Sequence, residues 1–287
     1  MQFDDTIDIV LPYVNPTDRD WQTDFVKYKQ LAGDKSDNRF RDAGTLPHWF
    51  RLIRKHCNFK YRIVLILAQE TQVPQWLNLE VQDLCVVYHR DFIPHSELPT
   101  FNSSVINCYV PFIPGLHERY ILFNDDMFMI QPTIETDWFN GFRPKFHSDI
   151  VKYPRGNKLW DVNIGNSQRV INELLHCQVF NVPEHSPLPH RRTVDLFLWS
   201  KIGQQMQDAL SDSRFRREKN ITDWIFSMYY AAAQFGDISP YPISTYFNTE
   251  RISLPGSKIA CYNDTEAIQN YTNYKKKLHK ILLNVGE

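Results

Sequence analysis

The sequence lacks the features that would tie it to a nucleic acid, a membrane interior or an oxidising compartment. Its formal net charge is −1 over 287 residues, so no broad field of one sign draws polyanions, and any anion must be bound by local groups. Nucleic acid is thereby excluded as a partner. No window approaches the roughly 20 apolar residues that span a bilayer. Met1 to Asp5 runs straight into Ile7-Asp8-Ile9-Val10, with neither a basic head nor an apolar leader, so a cytoplasmic location is expected. The five cysteines (Cys57, Cys85, Cys108, Cys177, Cys261) are odd in number and scattered, with no CxxC pair and no histidine at zinc-ligand spacing. That pattern argues against a disulfide framework or a structural zinc and fits reduced thiols. Internal repeats and low-complexity tracts are also missing.

What is present suits one large domain, or one with an embedded subdomain. Hydrophobic residues make up 43% and aromatic ones 14%, enough for a full core. Residues 7–14 form a short apolar run that stops in Asn15-Pro16-Thr17-Asp18, as a buried strand ending in a polar loop would. Trp21, Phe25, Tyr28 and Leu31 recur at helical spacing up to Gly33, and residues 46–56 form a second amphipathic helix. Strands are expected at residues 61–67, 84–88 and 120–123, the last ending abruptly in Asn124-Asp125-Asp126. Strand and helix in alternation predict an α/β fold built on a mostly parallel twisted sheet with flanking helices, Rossmann-like or GT-A-like. Ligands of such sheets sit outside the carboxyl ends of strands, where both polar clusters fall. From about residue 131 the expectation is a helix-rich C-terminal lobe, with helices at 167–178, 194–210 and 222–235, completing the site of a core formed by residues 1–130. The lysines of residues 271–283 suit a solvated terminal helix or, alternatively, peripheral contact with an anionic membrane face.

Several clusters carry chemistry. Adjacent carboxylates Asp125 and Asp126 after an apolar strand are costly near a core unless a cation or a hydrogen-bond cage neutralises them. A divalent ion, Mg²⁺ or Mn²⁺, is one solution, and a turn with an aspartate cap is the other. Ser213-Arg214-Phe215-Arg216-Arg217 crowds cations before a helix with Asn220 and Thr222 as caps, an arrangement that clamps phosphate or forms a solvated loop. Arg39-Phe40-Arg41-Asp42 is a similar mix. His185 and His190 lie in a proline-stiffened segment, where an imidazole can be aimed at a reacting hydroxyl as a general base.

Taken together these segments resemble the Stealth family, which includes bacterial capsule hexose-1-phosphate transferases and the lysosomal-enzyme N-acetylglucosamine-1-phosphotransferase. Residues 7–21, Ile7-Asp8-Ile9-Val10 to Trp21, are similar to its first block. Arg39-Phe40-Arg41-Asp42-Ala43-Gly44, Leu98-Pro99-Thr100-Phe101-Asn102-Ser103 and Phe123-Asn124-Asp125-Asp126-Met127-Phe128 resemble the second. His185-Ser186-Pro187 resembles the third, and Ser213-Arg214-Phe215-Arg216 through Asn220-Ile221-Thr222-Asp223-Trp224 the fourth, all in the family's order.

The resemblance implies a UDP-sugar donor whose sugar-1-phosphate passes to the hydroxyl of a glycan or lipid-linked oligosaccharide, leaving UMP, in cell-surface polysaccharide synthesis at or near the inner face of the membrane. It implies Asp125 and Asp126 as metal or acceptor groups, His185 as base or phosphate contact, and Arg214 or Arg216 on the diphosphate. Substrate contacts are expected from Asn15, Asp18, Arg39, Arg41, Asp42, Asn102, Ser103, Asn107, Asn124 and His190. The chain departs from the family's pattern at Tyr13-Val14-Asn15-Pro16, at Pro111-Phe112-Ile113, and at Asn107, where relatives carry a carboxylate. Two other readings remain open: a GT-A-type metal-dependent glycosyltransferase releasing UDP, and a non-catalytic binding protein of the same fold.

Overall fold

The computed structural model describes residues 5–286. Residues 1–4, on which the reading of a leader-free start partly rests, lie outside the described residues. In chain order the elements are β1 (Ile7–Pro12), α1 (Arg19–Tyr28), α2 (Leu46–His56), β2 (Tyr61–Leu67), β3 (Leu84–Tyr88), α3 (Ser103–Tyr109), β4 (Arg119–Leu122), β5 (Met127–Met129), α4 (Glu135–Trp138), β6 (Phe139–Asn140) and β7 (Arg143–Ile150). There follow α5 (Leu159–Leu175), β8 (Asn181–Pro183), β9 (Leu188–Arg191), α6 (Arg192–Leu210), α7 (Trp224–Ala232), β10 (Asp237–Ser239), β11 (Ser244–Phe247), β12 (Ile259–Tyr262) and α8 (Tyr271–Gly286). The fold is a mixed α/β one.

Its centre is a sheet of order β3-β2-β1-β4-β9. The first four strands run parallel, with Ile9 opposite Ile63 and Ile121, whereas β9 runs antiparallel to β4. Because both faces are covered, these strands read as near-continuous apolar runs. Alternate residues serve different layers. Val10, Val64, Tyr120 and Leu122 point into a core shared with Val105 of α3, Leu198 of α6 and Ile225 of α7. Ile9, Leu11, Leu65 and Ile121 point the other way, onto Trp49, Phe50 and Ile53 of α2 and Leu278 and Leu282 of α8. Two smaller groups of strands, β10-β7-β6 with β8 beside β7, and β11-β12-β5, flank the main sheet. No helix among the described residues is long and apolar enough to cross a membrane.

The strands at 61–67 and 84–88 and the helix at 46–56 fall where the apolar pattern predicts them. Elsewhere the structure corrects the pattern. The first helix stops at Tyr28, because residues 29–36 turn back on themselves and Gly33, at φ +132°, lies against Phe215 so closely that a Cβ would meet it at 2.4 Å. The second half of the chain holds strands as well as helices, and β9 belongs to the central sheet. The expected helix at 167–178 begins earlier, at Leu159, and ends at Leu175. Its buried face carries Asn163, Ser167 and Gln168 beside Ile164 and Ile171, so the helical period is not written in apolar residues alone. The terminal helix is docked as well as solvated: Tyr274, Leu278 and Leu282 are buried while the lysines 276, 277 and 280 stay exposed.

Two aspartates, Asp8 and Asp195, are fully buried in the core. Asp8 of β1 is fully buried and accepts from Arg62 Nε at 2.9 Å, Arg62 Nη2 at 2.8 Å and the backbone N–H of His117 at 2.8 Å. Its Oδ1 also lies 2.8 Å from Nδ1 of His117. The carboxylate thus ties three segments at the amino end of the sheet. Removing one partner of a buried pair strands the other, a loss of roughly 3 kcal/mol. Asp8→Ala is expected to lower the unfolding free energy by about 3 kcal/mol in urea titrations; a change under about 0.5 kcal/mol, the scale of a neutral surface substitution, would contradict this account.

Candidate active site

All four parallel strands open at their carboxyl ends into one cleft of about 590 Å³, a volume suited to a nucleotide-sized ligand. β1 contributes Pro12, Tyr13 and Val14, β2 Ala68, β3 His89, and β4 Asn124, Asp125 and Asp126. The walls add Asn102, Ser103 and Asn107 from α3 and the turn before it, Trp160 from α5, His185 from the loop between β8 and β9, Arg216, and Asp223 before α7. The loop carrying Arg39, Arg41 and Asp42 and the segment after β12, with Asp264, form the mouth.

Among the carboxylates that line the cleft are two at the end of β4 and two at the mouth. Asp125 and Asp126 occupy the tight connection from β4 to β5, and the backbone N–H of Tyr262 donates to Asp126 O at 2.8 Å, fixing that turn against β12. Asp42 accepts from Tyr13 Oη at 2.9 Å and from the backbone of Gly44 at 2.7 Å. Asp264 receives Arg41 in a two-pronged ion pair, and the same guanidinium lies 4.3 Å over the Tyr271 ring. Asp125 reaches the solvent of the cleft although protein surrounds it. Burial raises its carboxyl above the ordinary range, and the charges of Asp126, Asp42 and Asp264 add to the effect. Burial also raises Asp126, against the opposing influence of His185 and of the Cys261 thiol. One oxygen of Asp126, Oδ1, is closed to solvent and has no hydrogen-bond partner. Oxygen donors with an orphaned buried atom fit a hard divalent cation, so the residues present are compatible with Mg²⁺ or Mn²⁺.

Arg216 brings the opposite charge. Its residue is 9% exposed, its guanidinium carbon lies 4.6 Å over the ring of Trp160, and Nη2 donates to Ser103 Oγ. Nε is buried without a partner. Burial, then the like charge of Arg39, pushes the guanidinium down to about 9. Asp223 and Asp34 oppose this through their charge, but the guanidinium's direct contacts among the described residues are a ring face and one hydroxyl, which leaves capacity for an anion.

The loop holding it is pinned by amides. Asn102 Nδ2 donates to Ser213 O at 2.9 Å and to Asn220 Oδ1 at 3.0 Å, and Asn220 accepts from the Arg217 backbone at 2.7 Å. Asn163 donates to Arg217 O at 2.8 Å, and Ser167 Oγ accepts from Thr222 N at 2.9 Å. Phe215 stacks on Phe101 at 5.0 Å and meets Phe25 edge-on at 5.5 Å, so the aromatic residues fasten three distant segments together.

His185 sits among these charges. Its ring meets Tyr246 edge-on at 4.9 Å and Trp224 at 6.0 Å. Burial holds the imidazole below its usual pKa, Arg216 works the same way, and the carboxylates of Asp126 and Asp223 oppose them. A neutral ring able to accept a proton follows. Asp223, hydrogen-bonded by Asn107, is itself raised by burial.

Eleven of the fifteen residues singled out in the sequence line this cleft, and four do not. Asn15 accepts from Thr17 N at 3.0 Å in a local turn, and Asp18 caps α1 by accepting from Trp21 N at 2.8 Å. Arg214 lies 4.6 Å over the Tyr28 ring and donates to Pro99 O at 2.8 Å, bracing the wall from outside. His190 is fully buried on β9, stacked 4.8 Å from Tyr120 with Nδ1 3.4 Å from Asp195 Oδ2. In each case a local hydrogen bond or ring contact takes the group that would have met a ligand. The cleft also takes in Asp223, Asp264, Trp160 and Tyr246, none of which is expected there from the sequence motifs. Asp264 carried a signal: Tyr262-Asn263-Asp264 repeats the pattern of Phe123-Asn124-Asp125, an apolar strand running into Asn-Asp.

Acidic groups at the carboxyl ends of a parallel sheet and a buried arginine in the wall give the cleft the groups that a phosphorylated ligand needs. Residues 39–145 match the family model described as Stealth protein CR2, conserved region 2. The chain is 30% identical to the receptor polysaccharide phosphotransferase WefC of Streptococcus oralis, covering 96% of this chain and 97% of that protein. It is 29% identical to the capsular polysaccharide phosphotransferase fcs1 of Haemophilus influenzae, over 94% of this chain and 81% of that protein. To the capsular polysaccharide phosphotransferase WcwK of Streptococcus pneumoniae it is 27% identical, over 96% and 95%. The chain belongs to the Stealth family, and it is an enzyme of the phosphotransferase class.

The two arginines separate by binding. Losing a hydrogen-bonded charge contact is worth about 2–3 kcal/mol, so Arg216→Gln is expected to weaken pyrophosphate binding by roughly 30- to 150-fold in calorimetric titrations, with Arg214→Gln close to wild type. The reverse ranking would move the anion site to Arg214.

Proposed function

We propose that the protein transfers a sugar-1-phosphate from a UDP-hexose or similar nucleotide sugar to a hydroxyl of a cell-surface glycan or its lipid-linked precursor, releasing UMP. The observation that carries this reading is the single cleft that Asp125, Asp126, His185 and the underpaired Arg216 all line. The strand order β3-β2-β1-β4 supports a Rossmann-like core, since a doubly wound nucleotide-binding sheet of order 3-2-1-4-5-6 begins with it and crosses its switch point between strands 1 and 4.

In this reading the acceptor oxygen attacks the β-phosphorus of the donor, the bond from that phosphorus to the bridging oxygen breaks, and UMP departs. His185 takes the acceptor's proton. Arg216 holds the phosphoryl oxygens on which charge develops, and its anchored loop spares the reorganisation that would otherwise raise the barrier. Asp125 and Asp126 would hold Mg²⁺ or Mn²⁺, which supplies charge neutralisation at the diphosphate when bound. Asp223 offers a carboxylate beside Asn107, where relatives are expected to carry their own, and it supports the positive form of His185 once the proton has moved. Arg39, Arg41 and Asp42 at the mouth suit the nucleotide or acceptor. The exposed lysines 276, 277 and 280 of α8 favour a peripheral contact with the inner membrane face, close to a lipid-linked acceptor.

Identifying the released nucleotide by mass after incubation with a panel of nucleotide sugars tests the reaction class: UMP is expected, and UDP would instead establish the glycosyltransferase alternative, in which the anomeric carbon is attacked. Asp125→Asn, Asp126→Asn and His185→Ala are each expected to lower kcat at least about a hundredfold; folded variants that turn over near the wild-type rate would remove those residues from the chemistry. Exhaustive chelation should abolish turnover and added Mg²⁺ or Mn²⁺ restore it, and activity that persists after chelation rules out the carboxylate–metal role.

A further inference from the structure

Cys261 has no part in the reaction as described, yet it stands beside it. The residue is fully buried on β12, opposite Met127 of β5, so the strand pairing presents it to the turn that carries Asp126. Ligand atoms of Cys261, His185 and Asp126 all lie within 4.8 Å of one another. Sulfur, nitrogen and oxygen together make a poor home for Mg²⁺, which demands octahedral oxygen ligands, and a good one for Zn²⁺, which takes thiolate, imidazole and carboxylate in a tetrahedron. Bonds of about 2.0–2.3 Å set tetrahedral ligand atoms roughly 3.5 Å apart, so a small contraction of the three side chains suffices. Asp126 Oδ1, shut off from solvent and unpartnered, is the atom such an ion would satisfy.

We propose that Cys261, His185 and Asp126 form a soft-metal site for Zn²⁺ or Co²⁺, overlapping the reaction centre, and that its occupation stops turnover. On binding, the Cys261 S–H bond breaks, its proton leaves through the cleft, and sulfur bonds to the metal. His185 gives a ring nitrogen lone pair and Asp126 a carboxylate oxygen, leaving the fourth position to water. Histidine and aspartate are thereby withdrawn from proton transfer and from the hard cation. The inhibitory consequence rests on the transferase reading; the metal site does not.

Titration of the metal-free protein with Co²⁺ alone, without donor or acceptor, tests the site independently of activity. A thiolate-to-cobalt charge-transfer band in the near ultraviolet and intense tetrahedral visible bands are expected. Cys261→Ser should lose the thiolate band, His185→Ala should weaken binding at least about tenfold, and Cys177→Ser, which changes the exposed thiol, should alter neither. Zinc-edge X-ray absorption of the unmutated protein should read one sulfur among nitrogen and oxygen neighbours, which keeps the test intact if a variant fails to fold. A sulfur-free zinc shell, or a thiolate band that survives in Cys261→Ser, overturns the proposal. In turnover assays Cys261→Ser should need at least about tenfold more Zn²⁺ for half-inhibition, and equal sensitivity would refute the inhibitory role while leaving the spectra to judge the site.

Discussion

A buried guanidinium that forms no direct ion pair among the described residues, with Asp223 and Asp34 acting on it only through their charge, is the feature around which the cleft is organised. Arg216 is held by a ring face, one hydroxyl and its own backbone, and its loop is fixed by amide side chains from α3, α5 and the loop itself. An exposed arginine would pair with the nearest acid and lose its use for an anion. The acids of the β4–β5 turn and this cation sit on different elements: Asp125 and Asp126 at the end of the sheet, and the guanidinium in the wall with Asp223. A ligand that carries negative oxygens and arrives with a divalent cation satisfies both at once, which is why the polarity of the cleft speaks for a metal–diphosphate more strongly than either charge alone.

The cost of that separation is borne by the scaffold. Raised carboxyls at Asp125 and Asp126 and a lowered guanidinium at Arg216 all reflect charged forms disfavoured by burial. Rigid surroundings keep the groups where they are: a covered parallel sheet below, the Phe25–Phe101–Phe215 aromatic contacts at one side, and the β5–β12 pairing at the other. The same pairing puts Cys261 next to Asp126. A site strained toward neutral carboxylates also favours any cation that can enter, and the identity of the neighbouring donors then decides which cation stays.

Much of the architecture was legible because a two-faced parallel sheet writes itself as apolar runs. Strands β2 and β3 and helix α2 are such segments, bounded by polar turns. The helix α5 was less legible, since half its buried face is polar: Asn163 and Ser167 bond to the Arg216 loop, and Gln168 donates to Val151 O. Strands β5 to β8 and β10 to β12 escaped as well. All but β7 are two to four residues long, too short to carry a period, and β7 buries only Pro144 and Phe146.

For the site, the sequence alone determined the chemical vocabulary: adjacent acids after a strand, an imidazole between prolines, arginines before a helix, and a family order that links them. Those are local facts, set by neighbours along the chain. Which members meet was decided only by tertiary structure. Arg214 and Arg216 are two residues apart, yet one braces the outside of the wall on Tyr28 and the other enters the cleft. His185 and His190 part in the same way, one toward the cleft and one into the core. Asp223, Asp264 and Cys261 join them from segments far away in sequence, because contact across a sheet depends on strand pairing and loop anchorage, and neither leaves a trace in the order of residues.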